Sequence, residues 1–244
     1  MKKLIRSAID LILPPGCCIC GRFPDARGKI PYAVPDNFCI CSQCLSGLVP
    51  QPSDNRFFPL MSEPYEGDPH PELKLYMPFP YKGFCSAAMP KIKFHSHPEL
   101  ASFLGMVLGS LMESDGITAD LVVPVPLAPS RHRERGYNQA GLIAQEAARI
   151  CGIPYSEEVL IRIRDTMRQT QITDNAMRSS NVEGAFKVKD DFVTDGLTIL
   201  LIDDVATTGN TLHEAASALY ESGACRVLCA AFAGNRAVLN AESC

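Results

Sequence analysis

The chain has 244 residues, 46% hydrophobic and 20% charged, which is the balance of a soluble globular protein. Its net charge of −4 and pI near 5.7 exclude a general electrostatic pull toward nucleic acid. No stretch reaches the ~18 uninterrupted apolar residues of a membrane span, and a cytoplasmic setting is expected.

The N-terminus, "MKKLIRSAIDLILPP", carries Leu4, Ile5, Ala8, Ile9 and Ile12 at helical spacing. Arg6 and Asp10 interrupt its apolar run, and Pro14-Pro15 stands where a signal peptide would need small residues for cleavage. A short amphipathic helix is expected. Cysteines follow at high density: of eleven in the chain, six fall within Cys17–Cys44. An odd total without an export signal points to a reducing compartment rather than a disulfide framework. Cys17-x-x-Cys20 and Cys41-x-x-Cys44 are separated by residues 21–40, the spacing of a zinc ribbon. Each pair aims two thiolates at one point, so Cys17, Cys20, Cys41 and Cys44 are the predicted ligands of a structural Zn²⁺. Cys18 and Cys39 are read as spare thiols, with substitution of one of them for a named ligand left as the alternative. Residues 1–48 form the first predicted unit.

Residues 49–81 are rich in proline and read as an irregular connector. "ASFLGMVLGSLMES" then places Phe103, Leu104, Val107, Leu108 and Leu111 on one helical face. "DLVVPVP" reads as a buried strand, "NQAGLIAQEAARI" as a helix ended by Gly152, and "LTILLIDD" as a second buried strand. "NTLHEAASALYESG" is a helix ended by Gly223, and "CRVLCAAFA" a third strand. Alternating helices and near-continuous apolar strands predict an α/β fold with a parallel sheet covered by helices. In such sheets ligands bind beyond the carboxyl ends of the strands.

Asp203 and Asp204 stand at one such end, followed by Ala206, Thr207, Thr208, Gly209, Asn210 and Thr211. The chain lacks a Walker A loop and a dinucleotide G-x-G-x-x-G. A receiver-type acidic cluster belongs near a first strand, whereas this pair follows a late one. Backbone N–H groups and threonine hydroxyls at a helix start can cradle a phosphate. Two carboxylates just upstream suit a sugar diol. A sugar carrying a 5-phosphate and free 2- and 3-hydroxyls meets both demands.

The run "ILLIDDVATTGNT" resembles the phosphoribosyl-pyrophosphate (PRPP) motif of type I phosphoribosyltransferases, with Ala206 where a larger aliphatic residue is usual. The wider pattern resembles the ComF family of phosphoribosyltransferase-like proteins. The double CxxC, Tyr81-Lys82-Gly83, "IKF" at Ile92–Phe94, "VPVPLAPSRHRERGYNQA", "RIRDTMRQ" and "RSSNVEGAF" carry that likeness over nearly the whole chain. It implies a type I phosphoribosyltransferase-like domain over 82–240, with Asp203 and Asp204 holding the ribose hydroxyls and residues 206–211 the 5-phosphate. Mg²⁺ would accompany PRPP, and pyrophosphate would leave from the sugar's C1 as an unidentified acceptor attacks. Arg135, with Asp203 and Asp204, is a candidate catalytic residue. Arg135, Gly136, Asn138 and Gln139 are candidates for the pyrophosphate side, and Arg162, Gln169 (or Gln171) and Arg178 for a mobile loop over 162–181. Lys93 matches a family position but reads as a solvated lysine at a helix end. None of the histidines has metal partners at ligand spacing. The resemblance also implies an alternative: a nucleic-acid-handling module of DNA uptake, with single-stranded DNA or competence proteins as partners. Against it, residues 17–48 hold only Arg22, Arg27 and Lys29 opposite Asp25 and Asp36, thin for phosphate contacts.

Overall fold

The structure is a computed structural model that describes residues 16–23, 38–60, 73–94, 97–164 and 184–235. The predicted N-terminal helix, Gln169, Gln171 and Arg178 lie outside them.

Two nine-residue strands, β7 (Thr198–Ala206) and β8 (Arg226–Gly234), form the centre of the main sheet. They pair in parallel over nearly their full length, Ile199 opposite Val227 and Asp203 opposite Ala231. β4 (Leu121–Pro124) pairs in parallel with the other side of β7. β2 (Lys74–Tyr76) and β3 (Phe79–Pro80) both run parallel to β8, and β1 (Phe57–Pro59) closes that edge antiparallel to β2. The order is therefore β1-β2-β8-β7-β4, with β3 also on β8.

This corrects the reading of 49–81 as an irregular connector. Its described residues supply three strands of the sheet. Proline masked them, because Pro59, Pro78 and Pro80 sit at or beside strand ends, where a missing N–H costs little.

The apolar runs of β7 and β8 follow from burial on both faces. Leu200 and Ile202 enter one core with the helices α2 (Phe84–Phe94), α3 (Pro98–Ser114) and α5 (Gln139–Cys151). Ile199 and Leu201 enter a second core, shared with α6 (Asn210–Glu221). Helices α3 and α5 approach closely because Gly105 and Gly109 of α3 face α5. A Cβ on Gly105 would stand 2.5 Å from the Ile143 carbonyl oxygen, and one on Gly109 2.8 Å from Ala147 Cα. Gly136, at φ +78°, ends the short α4 (Pro129–Arg135) and lets the chain reverse into α5.

The cysteine-rich segment packs on the first core. Cys17, Ile40 and Cys41 join the cluster of Phe84, Cys85 and Phe103, and Phe38 meets Phe103 with ring centroids 5.6 Å apart. A small helix, α1 (Ser42–Ser46), carries the second CxxC turn. A separate antiparallel pair, β5 (Leu160–Arg162) and β6 (Phe186–Val188), packs its buried residues into the second core. The sequence reading missed this pair, since three-residue strands leave no periodic signal. Among the described residues no helix is long and apolar enough to cross a membrane.

Candidate functional site

A cleft of about 360 Å³ opens beyond the carboxyl ends of β4 and β7. β7 runs two residues past the expected end, so the carboxylates of Asp203 and Asp204 project from inside the strand. Successive strand residues alternate faces. Asp204 therefore points with Leu200 and Ile202 toward α2, and Asp203 with Ile199 and Leu201 toward the opposite side. Both line the cleft.

Asp204 is 8% exposed and meets Lys93, the penultimate residue of α2: Lys93 Nζ lies 2.8 Å from Oδ2 and donates to Oδ1 at 3.1 Å. Burial pulls Lys93 toward neutrality, but the charge and hydrogen bonding of Asp204 outweigh it and hold the ammonium above its ordinary range. Burial, reinforced by the negative charge of Asp204, pushes the Asp203 carboxyl up to about 7. Lys93, the Asp204 N–H and Arg162 pull it back down. That N–H donates to Asp203 Oδ1 at 2.8 Å, which fixes the rotamer. Lys93 is thus not the solvated lysine expected from sequence. The contact spans 111 residues, and no local pattern could reveal it.

Downstream of the pair, Ala206, Thr207, Thr208, Gly209 and Thr211 line the same cleft. Gly209 caps α6 at φ +86°, with no side-chain hydrogen bond to the cap. A β-carbon there would strain the turn that brings backbone N–H groups to the cleft. Thr208 is buried. Asn210 begins the helix but does not line the cleft.

The opposite wall comes from the chain after β4. Val125 N–H donates to Ile202 O at 2.8 Å, extending the ladder past Pro124. Asn138 Nδ2 donates to Val125 O at 3.0 Å, whereas its Oδ1 is buried without a hydrogen-bond partner. Gln139, 1% exposed, accepts from Arg135 Nη1 at 2.9 Å. Arg135 also lies over the Phe94 ring, 5.5 Å from its centroid. Tyr137 Oη donates to Ile92 O at 2.6 Å, tying this wall to the last turn of α2. Arg131, Arg135, Asn138 and Gln139 line the cleft, but Gly136 does not. Arg162 also reaches it, over Phe186 at 5.1 Å. Two exposed aromatic residues at the cleft, Tyr81 and Phe94, were given no role by the sequence reading.

The second site is the cysteine cluster. The Sγ atoms of Cys17, Cys20, Cys41 and Cys44 all lie within 4.8 Å of one another. Cys20 and Cys41 Sγ are 3.8 Å apart, matching the edge of a tetrahedron with ~2.3 Å Zn–S bonds. Cys41 N–H donates to Cys17 Sγ at 3.3 Å and Cys44 N–H to Cys41 Sγ at 3.4 Å, orienting the sulfurs. Hydrogen bonds from Arg22, backbone first, draw the Cys20 thiol down to about 6, which favours the metal-binding thiolate. Cys18 and Cys39 stand outside this cluster, as expected for spare thiols. Four sulfur donors in this arrangement fit structural zinc.

The family described as "Phosphoribosyl transferase domain" matches residues 134–242. The chain is 32% identical over 166 residues to the DNA utilization protein YhgH of Salmonella typhi, covering 65% of this chain and 71% of the relative. It is 38% identical over 103 residues to competence protein ComFC of Bacillus subtilis, covering 42% of this chain and 39% of the relative. Among solved structures it is similar to the glutamine PRPP amidotransferase from B. subtilis, with a TM-score of 0.41 and 24% identity. That overlap takes in 59% of this chain and 30% of the amidotransferase. With its four-cysteine cluster and phosphoribosyltransferase-like sheet, the chain belongs to the ComF family of phosphoribosyltransferase-like proteins.

Proposed function

We propose that the cleft binds PRPP and that the protein is a phosphoribosyltransferase acting from it. In this reading the ribose hydroxyls donate to Asp203 and Asp204, and the N–H groups and hydroxyls of Thr207–Thr211 hold the 5-phosphate. Arg135, Asn138 and Arg162 face the pyrophosphate, with Gln169 and Arg178 assigned to a loop over it. Mg²⁺ bound together with the ligand would supply positive charge to offset that of the pyrophosphate. An acceptor's lone pair forms the new bond to C1 while the C1–O electrons leave with pyrophosphate. Arg135 contributes by meeting the charge that builds on the departing group.

The observation carrying this reading is that carboxylates, threonine loop and arginine wall all line one cleft of about 360 Å³. Each alone has an ordinary structural use; together they match a diol, a monophosphate and a leaving polyanion. The finer assignments, including Zn²⁺ in the cysteine cluster and a cytoplasmic, reducing setting suited to its thiolates, belong to the same proposal.

The names of the relatives, a DNA utilization protein and a competence protein, motivate a second reading as a nucleic-acid-handling module. Arg22 is the only Lys or Arg among the described residues of the ribbon, and it bonds Gln43 Oε1 at 3.0 Å. That leaves this surface little positive charge for a phosphate backbone. Thermal stabilisation by PRPP with Mg²⁺, beside binding of single-stranded DNA across a salt series, separates the two. The transferase reading expects stabilisation by PRPP and no salt-sensitive DNA binding. DNA binding that weakens steeply with salt, with no response to PRPP, reverses the choice.

A further inference from the structure

Lys93 lies outside the PRPP motif, yet its ammonium pairs with Asp204 inside it. Lys93 and Asp204 have side-chain exposures of 27% and 11%, both line the cleft, and the ammonium spans both carboxylate oxygens. Its position is fastened on both sides. Tyr137 Oη holds the carbonyl of Ile92, the residue before it, and the Arg135 guanidinium covers the ring of Phe94, the residue after it. The helix end thus presents Lys93 to β7 with little freedom to swing away.

A carboxylate has about four acceptor positions, and an ammonium contacting both oxygens leaves the others open to hydroxyl donors. Two adjacent carboxylates facing a polyanionic ligand would otherwise add repulsion to every phosphate contact. One ammonium halves that charge.

We infer that Lys93 is a positioning residue of the ribose site: it fixes the Asp204 carboxylate and supplies the positive charge beside which Asp203 and Asp204 can jointly face a sugar diol. This rests on the PRPP reading of the cleft. The charges acting here come from several elements: Lys93 of α2 and Arg162 of β5 lower the Asp203 carboxyl, Arg135 of α4 acts against the Lys93 ammonium, and the buried Cys229 thiol of β8, pushed up by burial and by Asp203, stays neutral. Lys93 is the cation with the largest effect on Asp203, ahead of Arg162.

The test is calorimetric titration of PRPP with Mg²⁺ into the full chain and its Lys93→Met, Lys93→Gln and Lys93→Arg variants between pH 6 and 8.5. Losing the charge weakens affinity about tenfold or more at pH 7.5. It also moves the pH midpoint of binding upward by about one unit, because a carboxyl deprived of a neighbouring cation ionises later. Lys93→Arg restores most of the affinity and the wild-type midpoint. Lys93→Gln removes the charge but keeps a polar donor on a slightly shorter side chain, so it behaves as Lys93→Met and covers the case in which Met disturbs folding. Unchanged affinity and midpoint in both neutral variants overturn the inference, as does tighter binding, which would make Lys93 a competitor of the diol. Absence of binding by the wild type overturns the PRPP reading together with it, whereas wild-type binding with indifferent Lys93 variants overturns the Lys93 role alone.

Discussion

Gln139 and Arg135 are joined by a 2.9 Å hydrogen bond in which a fully buried amide holds a guanidinium at the wall of the cleft. The amide is one turn along from the arginine, with Gly136 reversing the chain between them. The basic wall is therefore preorganised by a residue that need not touch the ligand.

Replacing Gln139 by Leu tests that arrangement. The side chain keeps its approximate volume but no longer accepts from Nη1. PRPP affinity should fall about threefold to tenfold, the effect of one charge-assisted hydrogen bond used for orientation. Stability should change by less than ~2 kcal/mol, since Arg135 retains its stacking on Phe94. Calorimetry and chemical denaturation report the two effects separately.

Asp203 makes a pH-dependent prediction. Its carboxyl is raised from the ordinary 3.8 to about 7 by burial and by Asp204. A raised carboxyl favours the folded protein below its unfolded value, and that advantage is lost as pH rises through the folded value. Asp203→Asn removes the charged form, so its gain over wild type should grow between pH 5.5 and 8. Across that window the gain should increase by ~1–2 kcal/mol, or ~2–6 °C in Tm, for a chain of this size. Thermal melts of the ligand-free protein across that range are the check, and a pH-independent difference would contradict the assignment.

Metal removal should destabilise more than the ribbon. Cys17, Ile40 and Cys41 share a core with Phe84 and Phe103, so the cysteine cluster and the helices beneath it are continuous. Cys41→Ser should lower zinc content well below one per chain and depress Tm on the order of 10 °C. Substituting Cys18, outside the cluster, should leave the zinc content unchanged.

The glycine pair of α3 predicts a packing defect remote from the cleft. Gly105→Val would drive a branched side chain against the Ile143 carbonyl, 2.5 Å from an added Cβ. A loss of ~1–3 kcal/mol is expected from such overpacking, measurable by denaturant unfolding.

Much of this was legible in the sequence where signals are local. The unbroken apolar runs of β7 and β8 gave a parallel sheet, because only two-sided burial suits them. Gly152 ends α5 in the left-handed conformation, as its place after the periodic run implied. The two CxxC spacings selected the four sulfurs that converge, over Cys18 and Cys39. The misses share another cause. Strands β2 and β3 join β8 more than 150 positions later in the chain, and prolines disguised them. Lys93 gains its role only from a strand 111 residues away, a pairing set by topology and not by any pattern around "KIKF".

The central claim is that Asp203 and Asp204 form the diol clamp of a PRPP site, and calorimetric titration of PRPP with Mg²⁺ into wild type and Asp204→Asn tests it most directly. The account predicts saturable one-site binding to the wild type and a loss of about tenfold or more in affinity for the variant. A wild type giving neither heat nor thermal stabilisation, or a variant that binds as tightly as wild type, would contradict it.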